Sequence, residues 1–230
     1  MNLYPPAAAS LPVLFSAALP ADGANWIRYQ DEHLLIVNKP AGLLAVPGRG
    51  PDKQDCLLTR LQAQMPDILL VHRLDQATSG LMVFARSAQV QSRLSALFRA
   101  RLTFKRYAAV VHGCLQPERG TVDLPLMADW PQRPKQKVDM ALGKPSQTHW
   151  QVMCHDSVGN TTSVILEPVT GRTHQLRVHM LAIGHPIVGD RLYGTGDGAP
   201  RLCLHAQELG FTHPVTGEWL QVRHTLNLMM

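Results

Sequence analysis

The sequence lacks any pair of cysteines spaced to share a metal or a redox couple. Cys56, Cys114, Cys154 and Cys203 are scattered, with no C-x-x-C among them, which argues against a zinc site or a thioredoxin-type motif. Two disulfides would suit a secreted chain, but the rest of the sequence favours reduced thiols and a cytoplasmic protein. No apolar run reaches the length needed to cross a bilayer. The Ala-rich stretch from Leu11 to Pro20 has no preceding Lys or Arg, and Pro5, Pro6, Pro12 and Pro20 break it. It therefore reads as an extended arm over residues 1–25 rather than a signal peptide. No Walker-type phosphate loop occurs. The alternating glycines of Gly194-Thr195-Gly196-Asp197-Gly198 do not join a strand to a helix, so they read as a flexible turn and not a dinucleotide loop.

Acidic residues are missing where basic ones gather. Between Asp75 and Glu118 there is none, while Arg86, Arg93, Arg99, Arg101, Lys105 and Arg106 all fall there. A second basic cluster, Arg133, Lys135 and Lys137, lies in a Pro-rich segment. Two solvated faces would account for either cluster alone. Acid-free tracts of this length, with a formal charge of +5, favour a surface that tracks phosphates, such as those of a nucleic acid.

What is present fits a soluble globular chain. Its 230 residues are 45% hydrophobic, enough for a substantial core. There is no internal repeat and no clear boundary, so residues 26–230 read as a single domain. Leu34 to Asn38 reads as a central strand, and Asp55 to Met65 as a short helix with Leu57, Leu58 and Leu61 inward. Leu81 to Ala85 reads as a buried strand. Ser87 is placed to cap a helix carrying Val90, Leu94, Leu97 and Phe98 on one stripe. Tyr107 to Val111 returns as a strand. Residues 114–146 hold five prolines and read as a long excursion of the functional kind. His149 to Cys154 and Thr161 to Leu166 read as strands, and Thr173 as the cap of a helix to about Ile183 that Gly184 and Pro186 end. Leu202 to Leu204, Leu209 to Phe211 and Trp219 to Val222 give three short closing strands. Strands outnumber helices, which predicts an α+β fold on a mixed, largely antiparallel central sheet with flanking helices and loops.

Three segments carry the chemistry. The first, Val71-His72-Arg73-Leu74-Asp75-Gln76-Ala77-Thr78-Ser79-Gly80, sets one carboxylate among polar and cationic neighbours just before a buried strand, where functional loops tend to sit. Asp75 alone would suit a local turn with Thr78 and Ser79. The second is Lys105-Arg106-Tyr107. The third, Thr170-Gly171-Arg172-Thr173-His174-Gln175-Leu176-Arg177-Val178-His179, crowds cations into the first turns of a helix, where the macrodipole disfavours them. Arg172 and Arg177 there call for an anion beside them. A single Arg would pair with a structural acid; the whole cluster points to function. His174 and His179 are five apart and face different directions on a helix. They do not match H-E-x-x-H, so they read as core or RNA-facing residues and no metal site is expected.

His72-Arg73-Leu74-Asp75 with Thr78-Ser79-Gly80 resembles the signature of the RluA family of RNA pseudouridine synthases. The likeness extends through Val37-Asn38-Lys39-Pro40-Ala41-Gly42-Leu43, Arg106-Tyr107, Gly171 to Met180 and Gly184-His185-Pro186-Ile187-Val188-Gly189-Asp190, covering most of residues 26–215. Asp129-Trp130-Pro131 with Arg133 to Val138 resembles a branch of that family that modifies uridines in both 23S ribosomal RNA and the tRNA anticodon stem-loop. The arm before Trp26 is longer than the family pattern, and the tail from His224 lacks its acidic-aromatic ending. No segment resembles the small RNA-binding module that many relatives carry.

The resemblance implies the pseudouridine synthase catalytic fold and a reaction that moves the ribose from uracil N1 to C5, with no cofactor and no metal. Asp75 would be the essential carboxylate, acting as nucleophile or as base toward a ribose proton. Arg177 would be its ion-pair partner, and Tyr107 the ring stacked on uracil. Arg73 would enter the base stack as the target leaves it. His72, Thr78, Arg99, Arg101, Lys105, Arg106, Arg133, Lys135, Lys137, Arg172 and His174 are the expected RNA contacts. The expected partner is structured RNA, bound by a monomer away from any membrane. A non-catalytic RNA-binding protein would share the basic tracts but leave Asp75, Tyr107 and Arg177 without purpose. A nucleoside or glycoside hydrolase would need a second facing carboxylate, which these motifs do not supply.

Overall fold

In the computed structural model of the protein the described residues are 26–194, 196, 198–226 and 228. The expected arm at residues 1–25 lies outside them, as do Thr195 and Asp197 of the glycine-rich turn. The strands are β1 (Ile27–Gln30), β2 (Leu34–Lys39), β3 (Leu69–Leu70), β4 (Ser79–Ala85), β5 (Phe104–His112), β6 (Arg119–Asp123), β7 (Leu126–Ala128), β8 (Gln136–Val138), β9 (Gln147–Asp156), β10 (Thr161–Pro168), β11 (Leu204–Thr212) and β12 (Trp219–Arg223). The helices are α1 (Leu57–Gln62), α2 (Ala88–Arg99) and α3 (Gln175–Ala182). One sheet runs in the order β1-β2-β4-β11-β5-β10-β9-β6, with β3 added to β4 and β12 to β11, while β7 and β8 pair apart. The β4–β11 pair is parallel, and the remaining strand pairs are antiparallel. This is the expected mixed α+β architecture.

Period-2 alternation explains why β2 and β4 read as continuous apolar runs. Leu35, Val37, Met82 and Phe84 pack with Leu57 and Leu61 of α1. Leu34, Ile36, Leu81 and Val83 pack instead with Val90 and Leu94 of α2. The two helices thus cover opposite faces of the same strands, so both faces are apolar. At roughly 1.5–3 kcal/mol per fully buried side chain, these paired faces supply much of the driving force for the N-terminal half. A third cluster sets Leu176 and Met180 of α3 against Ala109, Val111, Val164 and Leu166. Tyr107 touches both the α1 cluster and the α3 cluster, at the seam where they meet.

Local signals worked where they were chemical. The Val90 amide donates to Ser87 Oγ at 3.3 Å, capping α2, and Gly184 ends α3 with φ 85°. Three expectations need correction. The excursion at 114–146 contains β6 and the β7–β8 hairpin, because pairing with β9 and packing under α3 supply partners that its sparse apolar pattern did not advertise. The separate strands at 202–204 and 209–211 are joined into β11, which runs through Gln207 and Glu208 with a register shift against β5. Both are buried; Glu208 Oε2 accepts from Gln221 at 3.1 Å, and its Oε1 lies 3.5 Å from Arg106 and 3.4 Å from Arg223. The cap of α3 is His174, in left-handed geometry and without a side-chain capping bond, rather than Thr173.

Gly80 sits where β4 leaves the Asp75 loop and meets β11. Its φ is 120°, and a Cβ there would lie 2.4 Å from the Ala206 backbone N and O. Gly80→Ala is expected to destabilise the protein by at least about 1–3 kcal/mol, the range for overpacking a tight contact, read as a lower urea midpoint with unchanged m-value. A wild-type midpoint would show that the parallel strand contact is not tight.

Candidate active site

The loop between β3 and β4 is held from below by a buried lysine. Lys39 is fully buried, and its Nζ donates to the carbonyls of Pro40 and Leu43 at 2.8 Å and of Gln76 at 3.1 Å. Burial pushes this amine down to about 7, against the pull of Asp75; its three carbonyl acceptors match the three protons of an ammonium. The Gly42 amide also donates to the Gln76 carbonyl at 2.8 Å, and Gln76 Nε2 returns a bond to Gly42 at 2.9 Å. Thr78 N–H donates to the Asp75 carbonyl at 3.1 Å, closing the turn. The turn expected of Asp75 therefore exists, but its backbone makes it. The carboxylate is left free to act elsewhere.

That carboxylate meets the start of α3. Gln175 organises the approach: its Oε1 accepts from Thr170 Oγ1 at 2.7 Å and from the Arg172 amide at 3.0 Å, while its Nε2 donates to Gln147 and Thr148 of β9. This seats the 170–174 turn on the sheet. Arg177, in the first turn, is 4% exposed and forms a two-pronged pair with Asp190, Nε to Oδ2 and Nη2 to Oδ1, both 2.7 Å. Its remaining Nη1 reaches Asp75 Oδ2 at 3.4 Å. Burial opposes the Arg177 charge, but the Asp190 carboxylate outweighs it and the guanidinium pKa rises. Burial likewise opposes ionisation of Asp190, and the Arg177 hydrogen bonds reverse this and lower its pKa. The anion that the helix start required is thus two carboxylates.

Asp75 lines two adjoining depressions, a cleft of about 720 Å³ and a pocket of about 160 Å³. Arg73, Leu74, His174 and Arg177 line both. Tyr107, Lys105, Thr78 and Phe98 wall the smaller one, and Ala41, Pro134 and Arg201 border the larger. Burial, then the Asp75 charge, raises the Tyr107 pKa, so its hydroxyl stays a phenol. Burial, then Arg101, pushes Lys105 down to about 8. Arg73 is exposed and makes no hydrogen bond or ion pair among the described residues. Among the described residues no group of three His, Cys, Asp or Glu side chains is placed to hold a metal ion, and the four cysteines are free thiols.

A family profile described as RNA pseudouridylate synthase matches residues 33–182. The chain is 52% identical over 208 residues to a dual-specificity RNA pseudouridine synthase RluA of Vibrio vulnificus, covering 88% of this chain and 83% of that protein. It is 52% identical over 194 residues to the enzyme of that name from Escherichia coli K12, covering 83% and 88%. The chain belongs to the RNA pseudouridine synthase family. Among solved structures it resembles human RNA pseudouridylate synthase domain containing 1 (TM-score 0.72, 31% identity, 86% of this chain and 82% of that one). It also resembles domain containing 4 (TM-score 0.70, 27% identity, 87% and 88%). The protein is an isomerase that acts on RNA and has the pseudouridine synthase fold.

Within this synthase the sequence-derived residues divide. Asp75, Tyr107, Arg177, Arg73, Thr78, Lys105, Arg172 and His174 converge on the two depressions. Arg99 and Arg101 are exposed at the end of α2, and Arg133 and Lys137 are exposed around the β7–β8 hairpin with Lys135 partly covered. Two further expected RNA contacts, Arg106 and His72, already have partners within the protein, although His72 also lines the smaller depression. Arg106 alternates to the face opposite Lys105 and Tyr107, where it pairs with Glu167 at 2.7 Å and Glu208 at 3.5 Å. His72 Nε2 accepts from the Val83 amide at 3.1 Å and its ring stacks on Phe98. Desolvation, then Lys105, pushes it down to about 3, so it carries no charge for a phosphate. His179 is a core residue, bonded to Thr148 and Leu124.

Asp190, Tyr193, Lys39 and Trp130 were not named as site residues from sequence. Asp190 had a signal: a cation in the first turn of a helix demands a nearby acid, and it is the first acidic residue after Arg177. Asp190→Asn leaves a buried guanidinium with one distant partner and is expected to cost about 3–5 kcal/mol. Because the folded Asp190 pKa is depressed, the stability it lends is present above the unfolded value near 4 and fades as pH falls through the folded one. Urea unfolding from pH 7 to pH 3 should therefore show the wild type losing this margin while Asp190→Asn does not. Parallel pH curves would refute the assignment.

Proposed function

We propose that this synthase isomerises particular uridines in structured RNA, in 23S ribosomal RNA, the tRNA anticodon stem-loop or both, with Asp75 as the essential carboxylate. The observation that carries this reading is one solvent-accessible carboxylate, 3.4 Å from a buried guanidinium, on the rim of a pocket walled by a protonated tyrosine. The N1–C1′ bond breaks, the uracil turns, C1′ joins C5, and the C5 proton leaves while N1 gains one. Asp75 acts as nucleophile or as the base that opens this sequence. Among the described residues no hydrogen bond reaches its Oδ1, which leaves that oxygen for the substrate. The Tyr107 ring offers a stacking surface for uracil beside it.

A hydrolase reading is weakened by the state of the second acid. Asp190 is near, but it is bound to Arg177 at both oxygens and also accepts from the Leu192 and Tyr193 amides. It cannot serve as the opposing carboxylate of a glycosidase. A passive RNA binder would gain nothing from a buried Arg177 aimed at Asp75.

The target base is proposed to be flipped out of its stack, at a cost of a few kcal/mol, with the unpartnered Arg73 taking its place. Arg99, Arg101, Lys105 and Arg172 would hold phosphates on one side of the site, and Arg133, Lys135 and Lys137 on the other. Trp130 joins them: it is 62% exposed, and the Arg133 guanidinium lies 3.4 Å from its ring centroid. We read residues 26–230 as a single catalytic domain, with the Asp75 loop, β5 and the start of α3 all lining the same two depressions. A cytoplasmic place of work is proposed, in keeping with RNA as the substrate and with cysteines that are free thiols.

Tritium release from C5-labelled uridine in 23S fragments and tRNA stem-loops tests the reading. Wild type is expected to release label, Asp75→Asn none, and Tyr107→Phe less at unchanged RNA affinity. Free uracil as product would identify a hydrolase, and tight binding without release a passive binder. Arg73→Ala should slow turnover on folded stem-loops; an unchanged rate would remove its flipping role. Trp130→Ala should weaken stem-loop binding by about tenfold, within the 1–3 kcal/mol that a base–aromatic stack contributes; unaltered affinity would place the indole outside the interface.

A further inference from the structure

Two short hydrogen bonds run from the β7–β8 hairpin to the rim of the Asp75 pocket. The Gln136 backbone N–H donates to the Tyr193 hydroxyl oxygen at 2.7 Å, and that hydroxyl lies 2.7 Å from His174 Nδ1. A phenol that accepts from an amide has one proton left to give. Given to Nδ1, it places the imidazole proton on Nε2. His174 Nε2 lies 3.8 Å from Asp75 Oδ2, the same oxygen that Arg177 Nη1 faces at 3.4 Å. The free enzyme therefore holds two donors near one carboxylate oxygen, at distances that catalytic contacts commonly shorten once substrate is bound.

The environment keeps this imidazole neutral. Burial lowers its pKa first, Asp75 and Asp190 oppose, and Arg177 and Arg73 add to the lowering. A neutral N–H can orient a carboxylate without handing it a proton, which an imidazolium would tend to do. The backbone tells the same story. His174 sits at φ 53°, ψ 18° at the start of α3, a region that residues other than glycine seldom take, and it makes no side-chain capping bond there. Such outliers gather at functional sites. Here the unusual backbone directs the side chain to Tyr193 and Asp75.

We infer that His174 is a positioning residue for Asp75, fixed in the Nε2–H form by Tyr193, and that the chain Gln136–Tyr193–His174 ties the carboxylate to the hairpin bearing Arg133, Lys135 and Lys137. RNA seated on that hairpin thereby bears on the orientation of the Asp75 carboxylate, and through it on the Oδ1 left for the substrate. The inference rests on the synthase reading above, in which Asp75 performs the chemistry.

The test joins a spectrum to kinetics on the full chain. In 15N-histidine-labelled protein at pH 7, the resonance absent from His174→Asn is expected to report an Nε2–H imidazole, and Tyr193→Phe should move it toward a mixture of tautomers. With a tRNA stem-loop, His174→Asn tolerates the left-handed backbone but presents no donor at the Nε2 place. It should lower kcat by about 10- to 100-fold, the scale of a hydrogen bond to a charged group, with KM nearly unchanged and the same melting temperature. His174→Gln, whose amide reaches the Nε2 place, should recover most of that loss. An Nδ1–H or doubly protonated imidazole overturns the inference, as does wild-type kcat in His174→Asn. Absence of pseudouridine with the wild type on every RNA would sink the synthase reading, while the tautomer result would still decide the hydrogen-bond chain.

Discussion

Arg177 is the charge on which the site depends. A guanidinium in the first turn of a helix, nearly excluded from water, is stable only if its charge and its donors are met. Asp190 meets both with two 2.7 Å bonds, and the pair is sound enough that Arg177 has one nitrogen to spare. That nitrogen faces Asp75. The division of labour follows: one carboxylate fixes the cation, and the other is held near it without being consumed. An Arg–Asp75 pair alone would have been tighter, and it would have left the carboxylate less available to a ribose or a uracil.

The fold brings these groups together through independent packing decisions. Opposite faces of β2 and β4 are covered by α1 and α2, which leaves the loop before β4 emerging at a fixed place. Lys39 secures that loop from beneath by satisfying three carbonyls. On the other side, Gln175 fastens the 170–174 turn to β9 before α3 begins. The two segments meet at the seam of two core clusters, where Tyr107 lies. Alternation along β5 then places Lys105 and Tyr107 on the pocket side and sends Arg106 to the far face, so adjacent residues of one motif serve different ends.

Availability separates this site from a hydrolase-like pair of acids. Of the two carboxylates near Arg177, Asp190 is saturated and sealed, and Asp75 keeps an oxygen without a partner and a place on the rim of an open cleft. The hairpin that borders the cleft at Pro134 carries both cations and an exposed indole, and it is joined to the catalytic rim by hydrogen bonds rather than by apolar packing alone. In the proposed reading, recognition and chemistry share a wall.

The sequence by itself determined the elements whose cause is local. The apolar runs of β2 and β4, the Ser87 cap, the Gly184 stop and the α+β balance follow from periodicity and capping. The Asp75, Tyr107 and Arg177 segments stood out by composition, and the need for an anion near Arg177 followed from the helix dipole. Only the tertiary structure decided which acid answers that need. Asp190 lies thirteen residues beyond Arg177, and pairing across a turn leaves no periodic trace. The same holds for Lys39 beneath the loop, for the Tyr193 link to Gln136, and for His72 and Arg106. Those last two resembled RNA ligands in sequence, which could not show their partners in β4, β10 and β11. Burial and partnership are properties of neighbours in space, and a linear pattern reports only neighbours along the chain.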